Sequence, residues 1–360
     1  MDFEQFKEEV KENIKDFLPE RYENANVSIN EVIKNNDTKL YGLTIRTEDQ
    51  TIAPTLYLED YFKEYESGKS MDFVLDHIAG IYDEASVNGL DIDTKEMVDK
   101  ITNYEETKGK IVPRVVNRES NEERLKNMPH TDMGDLAVTY HVDLGNSEDG
   151  QMSVAVSNEM LNKYGVSVEE MHEKACENMK EISPATFETM VETLANLMIP
   201  GYEEMDPEEK KEARAQFEMP DPGMYVLSNG SKSFGAAALL DTDTMDKIEA
   251  EVGEFYILPS SVHETLIVPI REGMELKDLE AMVQEVNATQ VAPNEVLSDH
   301  VYKYDSKNKE IYRADKEAEH FKEKEEKRPS LKGRIEEKKK EVKEKDSKTD
   351  KVKTKTEVRE

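Results

Sequence analysis

The chain of 360 residues is long enough for two globular domains and a tail, but its hydrophobic fraction of 36% is matched by 36% charged residues, low for a chain packed from end to end. Its 48 Lys+Arg stand against 80 Asp+Glu, a formal net charge of −32, and that field repels a phosphate backbone, which argues against a general nucleic-acid-binding surface. No apolar run approaches the roughly 20 residues that a membrane helix requires.

The N-terminus predicts an amphipathic helix, with Phe3, Phe6, Val10, Ile14 and Phe17 at helical spacing, Asp2 as N-cap and Pro19 ending the run. This stretch lacks the continuous apolar core of a secretory leader. Val27–Ile33 and Leu40–Ile45 read as strands around an Asn35-Asn36-Asp37 turn, followed by helices over Leu56–Glu66 and Met71–Ser86. A second module begins near Ile111. There Leu136, Val138, Tyr140, Val142 and Leu144 alternate along one strand face, and Gln151–Ser157 is its expected partner across the 145–150 turn.

Ser167-Val168-Glu169-Glu170 is a capping box opening a helix to about Glu181. Pro184 precedes a stretch read as helical up to Pro200-Gly201, and Asp206-Pro207 opens another helix. Beyond the Pro220-Asp221-Pro222-Gly223 turn, Asn229-Gly230 predicts a hairpin between Met224–Ser228 and Ser231–Ala238. Then follow a helix over Thr242–Val252, strands over Phe255–Leu258 and Val262–Ile270, and a helix over Leu276–Asn287. The fold class is α+β, with antiparallel or mixed sheets built from recurring hairpin-helix units.

Charge divides the chain. Residues 1–300 hold 27 Lys+Arg against 64 Asp+Glu, a net of −37, whereas 301–360 hold 21 against 16. The expected organisation is an N-terminal α+β module over 1–108, a main α+β domain over 109–305 and a charged, low-complexity, partly disordered tail over 306–360, with intermittent helix around 314–345. The lone Cys176 lies in a helical pattern, where a packed thiol in a reducing cytoplasm is the natural reading.

Dinucleotide, phosphate-loop, zinc-helix, calcium-loop and nucleophile-elbow motifs are all missing, so no cofactor is implied. What remains is sparse. His141 and Asp143 share a strand face with Thr139; they are the candidates for a metal, although that face reads first as a solvated polar one. His130 and Asp132 fall in an expected surface loop. In Pro259-Ser260-Ser261-Val262-His263-Glu264, a regular strand from Val262 puts Glu264 in an apolar row, where it needs a partner such as Arg271 or a proton; a bulge near Ser261 would turn it outward. Ser260, Ser261, His263 and Glu264 are therefore the catalytic candidates.

Lys34-Asn35-Asn36, Ile52 to Glu59, Tyr256 to Glu264 and Leu297 to Tyr302 carry a resemblance over roughly residues 1–305. On these stretches the chain resembles an uncharacterised, Firmicutes-type bacterial family, the one catalogued as domain of unknown function 5688. Residues 111–290 are also distantly similar to a Bacillus-type cytosolic family. Neither resemblance implies an activity, cofactor or site. The leading functional expectation is a cytosolic, non-enzymatic acidic protein that binds a basic partner, in its sharper form a nucleic-acid mimic; the alternative is a hydrolase or metal-dependent enzyme using the His263-Glu264 region.

Overall fold

Local signals set the first elements. In the computed structural model, which describes residues 1–47, 53–88, 94–147, 150–216 and 222–326, helix α1 spans Phe3–Asn13. Asp2 and Gln5 close a reciprocal capping box at its start, and a 3₁₀ turn, Ile14–Phe17, continues the apolar stripe. Strands β1 (Asn26–Ile33) and β2 (Lys39–Arg46) pair antiparallel, and β3 (Leu56–Tyr57) joins β2. Residues 56–57 are therefore strand, with helix α2 starting at Leu58 and ending at Glu66. Helix α3 (Met71–Asn88) packs with them around Phe6, Val10, Leu43, Ile78 and Tyr82, which form one core.

The β1–β2 tip reaches a distant part of the chain. Asn36 and Asp37 take left-handed φ values of 57° and 46°. The Asn36 amide donates to the carbonyls of Pro293 (2.8 Å) and Val296 (2.7 Å), and Asn35 donates to that of Asn294 (2.8 Å). Asn36 and Asn121 exchange two further hydrogen bonds, and the Asp37 carboxylate accepts from the backbone N–H groups of Glu123 and Arg124. Asn is the residue besides glycine that tolerates this backbone region and also supplies these bonds. Asn36→Ala is expected to lower stability by about 2 kcal/mol. A urea-unfolding loss below a few tenths would show that the tip is not held by these bonds.

The main body holds two further antiparallel sheets. In the four-stranded one, β6 (Leu136–Ser147) is flanked by β4 (Ile111–Asn117) and β5 (His130–Met133), with β7 (Gly150–Ala155) also on β6. His130 and Asp132 thus lie on strand β5, not in a loop, because they pair with Thr139 and Ala137 of β6. The six-stranded sheet runs β13-β12-β10-β11-β9-β8, from Glu310–Arg313, Tyr302–Asp305, Phe255–Leu258, Thr265–Pro269, Tyr225–Asn229 and Ala185–Thr189. The α+β class with antiparallel sheets is what the chain adopts. Val115 and Leu136 of one sheet and Leu227, Ile257 and Ile267 of the other share a core.

Three expectations fail here for identifiable reasons. The stretch after Pro184 begins as strand β8, since Ala185–Thr189 pairs along all of β9, and the helix starts only at Met190. Asn229-Gly230 makes no hairpin. The Asn229 side chain binds Ser231 and Ser233, the chain then enters a 3₁₀ segment, Gly235–Leu240, and β9 pairs with β8 and β11 instead. Strand β11 begins at Thr265, three residues later than expected, because Val262 donates its N–H to Glu295 and Ser261 bridges Val296.

The described chain parts into two units, residues 1–314 and the segment from Asp315 onward. The second unit contains the helix Glu317–Glu326. The rest of the expected 314–345 helix lies outside the described residues. Among the described residues no helix is long and apolar enough to cross a membrane.

Candidate anion-binding site

Strand β4 reads Ile-Val-Pro-Arg-Val-Val, and a lone cation inside such an apolar run demands a partner or a purpose. Arg114 has a hydrogen bond to Ser153 Oγ (2.7 Å) and stacks its guanidinium 3.4 Å from the centre of the Phe234 ring. Among the described residues it has no ion pair. Burial, with the repulsion of Arg124, pulls its pKa down to about 10, against the attraction of Asp143. Arg124, from the short helix Glu122–Leu125, is also pulled below the ordinary arginine value by burial, although Asp37 opposes the shift. Among the described residues its guanidinium makes one hydrogen bond, a long one of 3.5 Å to Asn35 Oδ1.

Arg114 and Arg124 both line a cavity of about 280 Å³. The β1–β2 tip contributes Lys34, whose ammonium lies 4.3 Å from the Tyr57 ring centre and has no carboxylate partner among the described residues. Val116, Phe234 and Val262 supply apolar wall; His141, His263, Asn294 and Glu295 complete it. Phe234 sits at φ 53°, a left-handed backbone that a bulky aromatic rarely adopts, and such outliers concentrate where a site over-determines the chain.

The two histidines are fixed in different ways. Phe234 N–H donates to His263 Nδ1 (3.2 Å), which places that ring's proton on Nε2, 3.5 Å from Glu295 Oε1. His263 thus directs its Nε2–H toward Glu295, with which it lines the cavity. His141 is buried and its Nε2 lies 3.2 Å from Thr139 Oγ1. Burial, then the charges of Arg114 and Arg124, hold its pKa well below the usual histidine value, so it is neutral. The face of β6 bearing Thr139 and His141 is therefore buried, not solvated, because the cavity walls close over it.

A pH dependence follows. His141 stays neutral when folded, whereas an unfolded imidazole takes a proton near its ordinary value of 6.5. The unfolded state then binds more protons below that value. This contribution to stability is complete above pH 6.5 and is lost as pH falls toward the folded pKa, by roughly 1.4 kcal/mol per pH unit for one proton. His172, lowered in the same direction by burial, adds to it. Urea unfolding between pH 7.0 and 5.5 is expected to be less steep in His141→Gln; an equal slope would assign the effect to other groups.

The sequence candidates divide. His141 and His263, far apart in sequence, line one cavity, but Asp143 and Glu264 are not on its wall. The Asp143 carboxylate accepts from Gly145 N–H, and among the described residues no further metal-ligating side chain joins His141 and Asp143. Glu264 precedes β11 in irregular chain, so the apolar-row argument lapses; Arg271 donates to the Gly223 carbonyl. Ser261 Oγ accepts from His263 N–H, and Ser260 N–H bonds Leu258. Cys176 is pushed up to about 11 by burial, so its thiol is protonated at neutral pH. Lys34, Arg114, Arg124 and Glu295 were not singled out by motif; only Arg114 carried a signal, its place in an apolar run.

No curated protein and no solved structure matches the chain. A family model, Family of unknown function (DUF5688), matches residues 3–306, and on that coverage the chain belongs to this family.

Proposed function

We propose that the protein binds a small anion in the cavity of Arg114, Arg124 and Lys34. The observation that carries this reading is two half-buried arginines lining one cavity, neither with a carboxylate at ion-pair distance among the described residues, Asp143 and Asp37 attracting them only from farther off. Buried charge is normally paired at close range, and a ligand anion would supply that close partner. The surrounding field, a net of −37 over residues 1–300, disfavours polyanions and leaves the cavity to small ones. We assign binding and no reaction, since the His263 Nδ1 lone pair is engaged and Glu264 is off the wall. The test is thermal unfolding with millimolar phosphate, sulfate, citrate and acetate. Stabilisation by one or more of them, absent in an Arg114→Gln, Arg124→Gln double variant, is expected; no response to any would sink the reading.

The same net charge supports a second reading, association of the acidic surface with a basic protein, in the extreme as a nucleic-acid mimic. A basic companion that co-purifies at low salt and leaves as salt rises is its expected sign; a bare chain at low salt counts against it. The protonated, packed Cys176 fits a reducing cytoplasm as the place of action.

A further inference from the structure

Resting on the anion-binding reading, we infer that the occupant is a phosphomonoester with a small hydroxyl-bearing organic portion. The charge on the cavity wall favours a dianion: Lys34, Arg114 and Arg124 face one carboxylate, Glu295. Asp37 and Asp143 attract the guanidiniums, but neither is at ion-pair distance from them; both Asp37 oxygens and one Asp143 oxygen accept from backbone N–H groups.

Geometry separates a phosphate from a carboxylate. The cationic donors arrive from three separate elements: the β1–β2 tip, strand β4 and the Glu122–Leu125 helix. His263, from a fourth, the loop before β11, also lines the cavity, its Nε2–H directed toward Glu295. Arg114 and Arg124 line one cavity together with His141, on whose imidazole both charges act. A tetrahedral phosphate presents oxygens in several directions to donors of that kind, whereas a carboxylate presents two oxygens in one plane.

Size and lining describe the rest of the ligand. A bare phosphate fills only a fraction of about 280 Å³. The remaining wall pairs apolar Val116 and Val262 with the Glu295 carboxylate, an acceptor that suits a hydroxyl donor. The net negative charge of the body disfavours a polyphosphate chain or nucleic acid more than it does a monoester.

Isothermal titration calorimetry on the full chain, with a hexose 6-phosphate, inorganic phosphate and glutarate, tests this. The hexose phosphate is expected to bind about tenfold tighter than phosphate, and glutarate, of equal charge, about tenfold weaker than phosphate. Arg124→Gln weakens both phosphates by roughly tenfold or more, while Glu295→Ala, which removes both the acceptor and the opposing charge, tightens inorganic phosphate and narrows the advantage of the hexose phosphate over it. Glutarate binding as tightly as phosphate would overturn the phosphomonoester and leave the anion reading standing. Equal affinity for phosphate and hexose phosphate would overturn the organic portion. No binding by any of the three to a folded chain would overturn both.

Discussion

Replacing Gly235 by alanine is expected to lower stability by about 3 kcal/mol and to abolish the response to anions. A Cβ at this position would meet the His263 carbonyl oxygen at 2.5 Å and the Asn229 backbone nitrogen at 2.8 Å, and would also collide with Ser228 Oγ. Neither backbone atom can give way alone. Ser228 Oγ donates to that same His263 carbonyl (2.8 Å), so moving it breaks the bond that ties strand β9 to the His263 loop. Phe234, the preceding residue, holds His263 Nδ1 through its N–H and carries Arg114 on its ring. A displacement of Gly235 therefore reaches the orientation of His263 and the seat of Arg114 together. Gly109→Ala is the control: an added Cβ there meets nothing within 4 Å, and a change within about 0.5 kcal/mol is expected. A loss at Gly235 as small as that, in urea unfolding, would mean that the loop yields and that the site is not rigidly held.

What could be read from the sequence follows from how far each signal travels along the chain. Capping is local, so Asp2 as N-cap and the Ser167–Glu170 capping box announced their helices. Strand alternation is nearly as local, and it placed Leu136, Val138, Tyr140 and Val142 on one buried face of β6. Burial of the opposite face was not legible, because the cavity that His141 lines draws wall from Lys34 on one side and from Phe234 and His263 on the other, all about a hundred positions away. Pairing partners were hidden for the same reason. Asn229-Gly230 has the composition of a tight hairpin, yet β9 meets β8 and β11, and the Asn229 side chain spends its bonds on Ser231 and Ser233. The cationic cavity had no motif at all: Lys34, Arg114 and Arg124 meet only because the Asn35-Asn36-Asp37 tip is fastened to residues 121–124 and 293–296. That tip was legible as a turn but not as a fastening.

In buffer free of small multivalent anions, Arg124→Met is expected to make the protein more stable by about 1 kcal/mol. The wild-type guanidinium is half-buried, repelled by Arg114 and satisfied by little more than a 3.5 Å contact with Asn35. Methionine keeps the apolar stem and removes both the desolvation and the repulsion. Against this stands the lost attraction of Asp37, whose carboxylate keeps its two backbone donors at Glu123 and Arg124 whatever side chain position 124 carries. Arg114 is the poorer choice for the experiment, since its removal would also strand Ser153 and uncover Phe234. Adding phosphate reverses the order. Wild type gains about 2.7 kcal/mol when the free ligand stands at a hundred times its dissociation constant, and the variant gains far less. A crossing of the two stabilities with phosphate concentration is what a binding site kept at the expense of fold stability requires. If Arg124→Met is the less stable chain without phosphate, and by the same margin with it, then Asp37 compensates Arg124 and the guanidinium belongs to the scaffold.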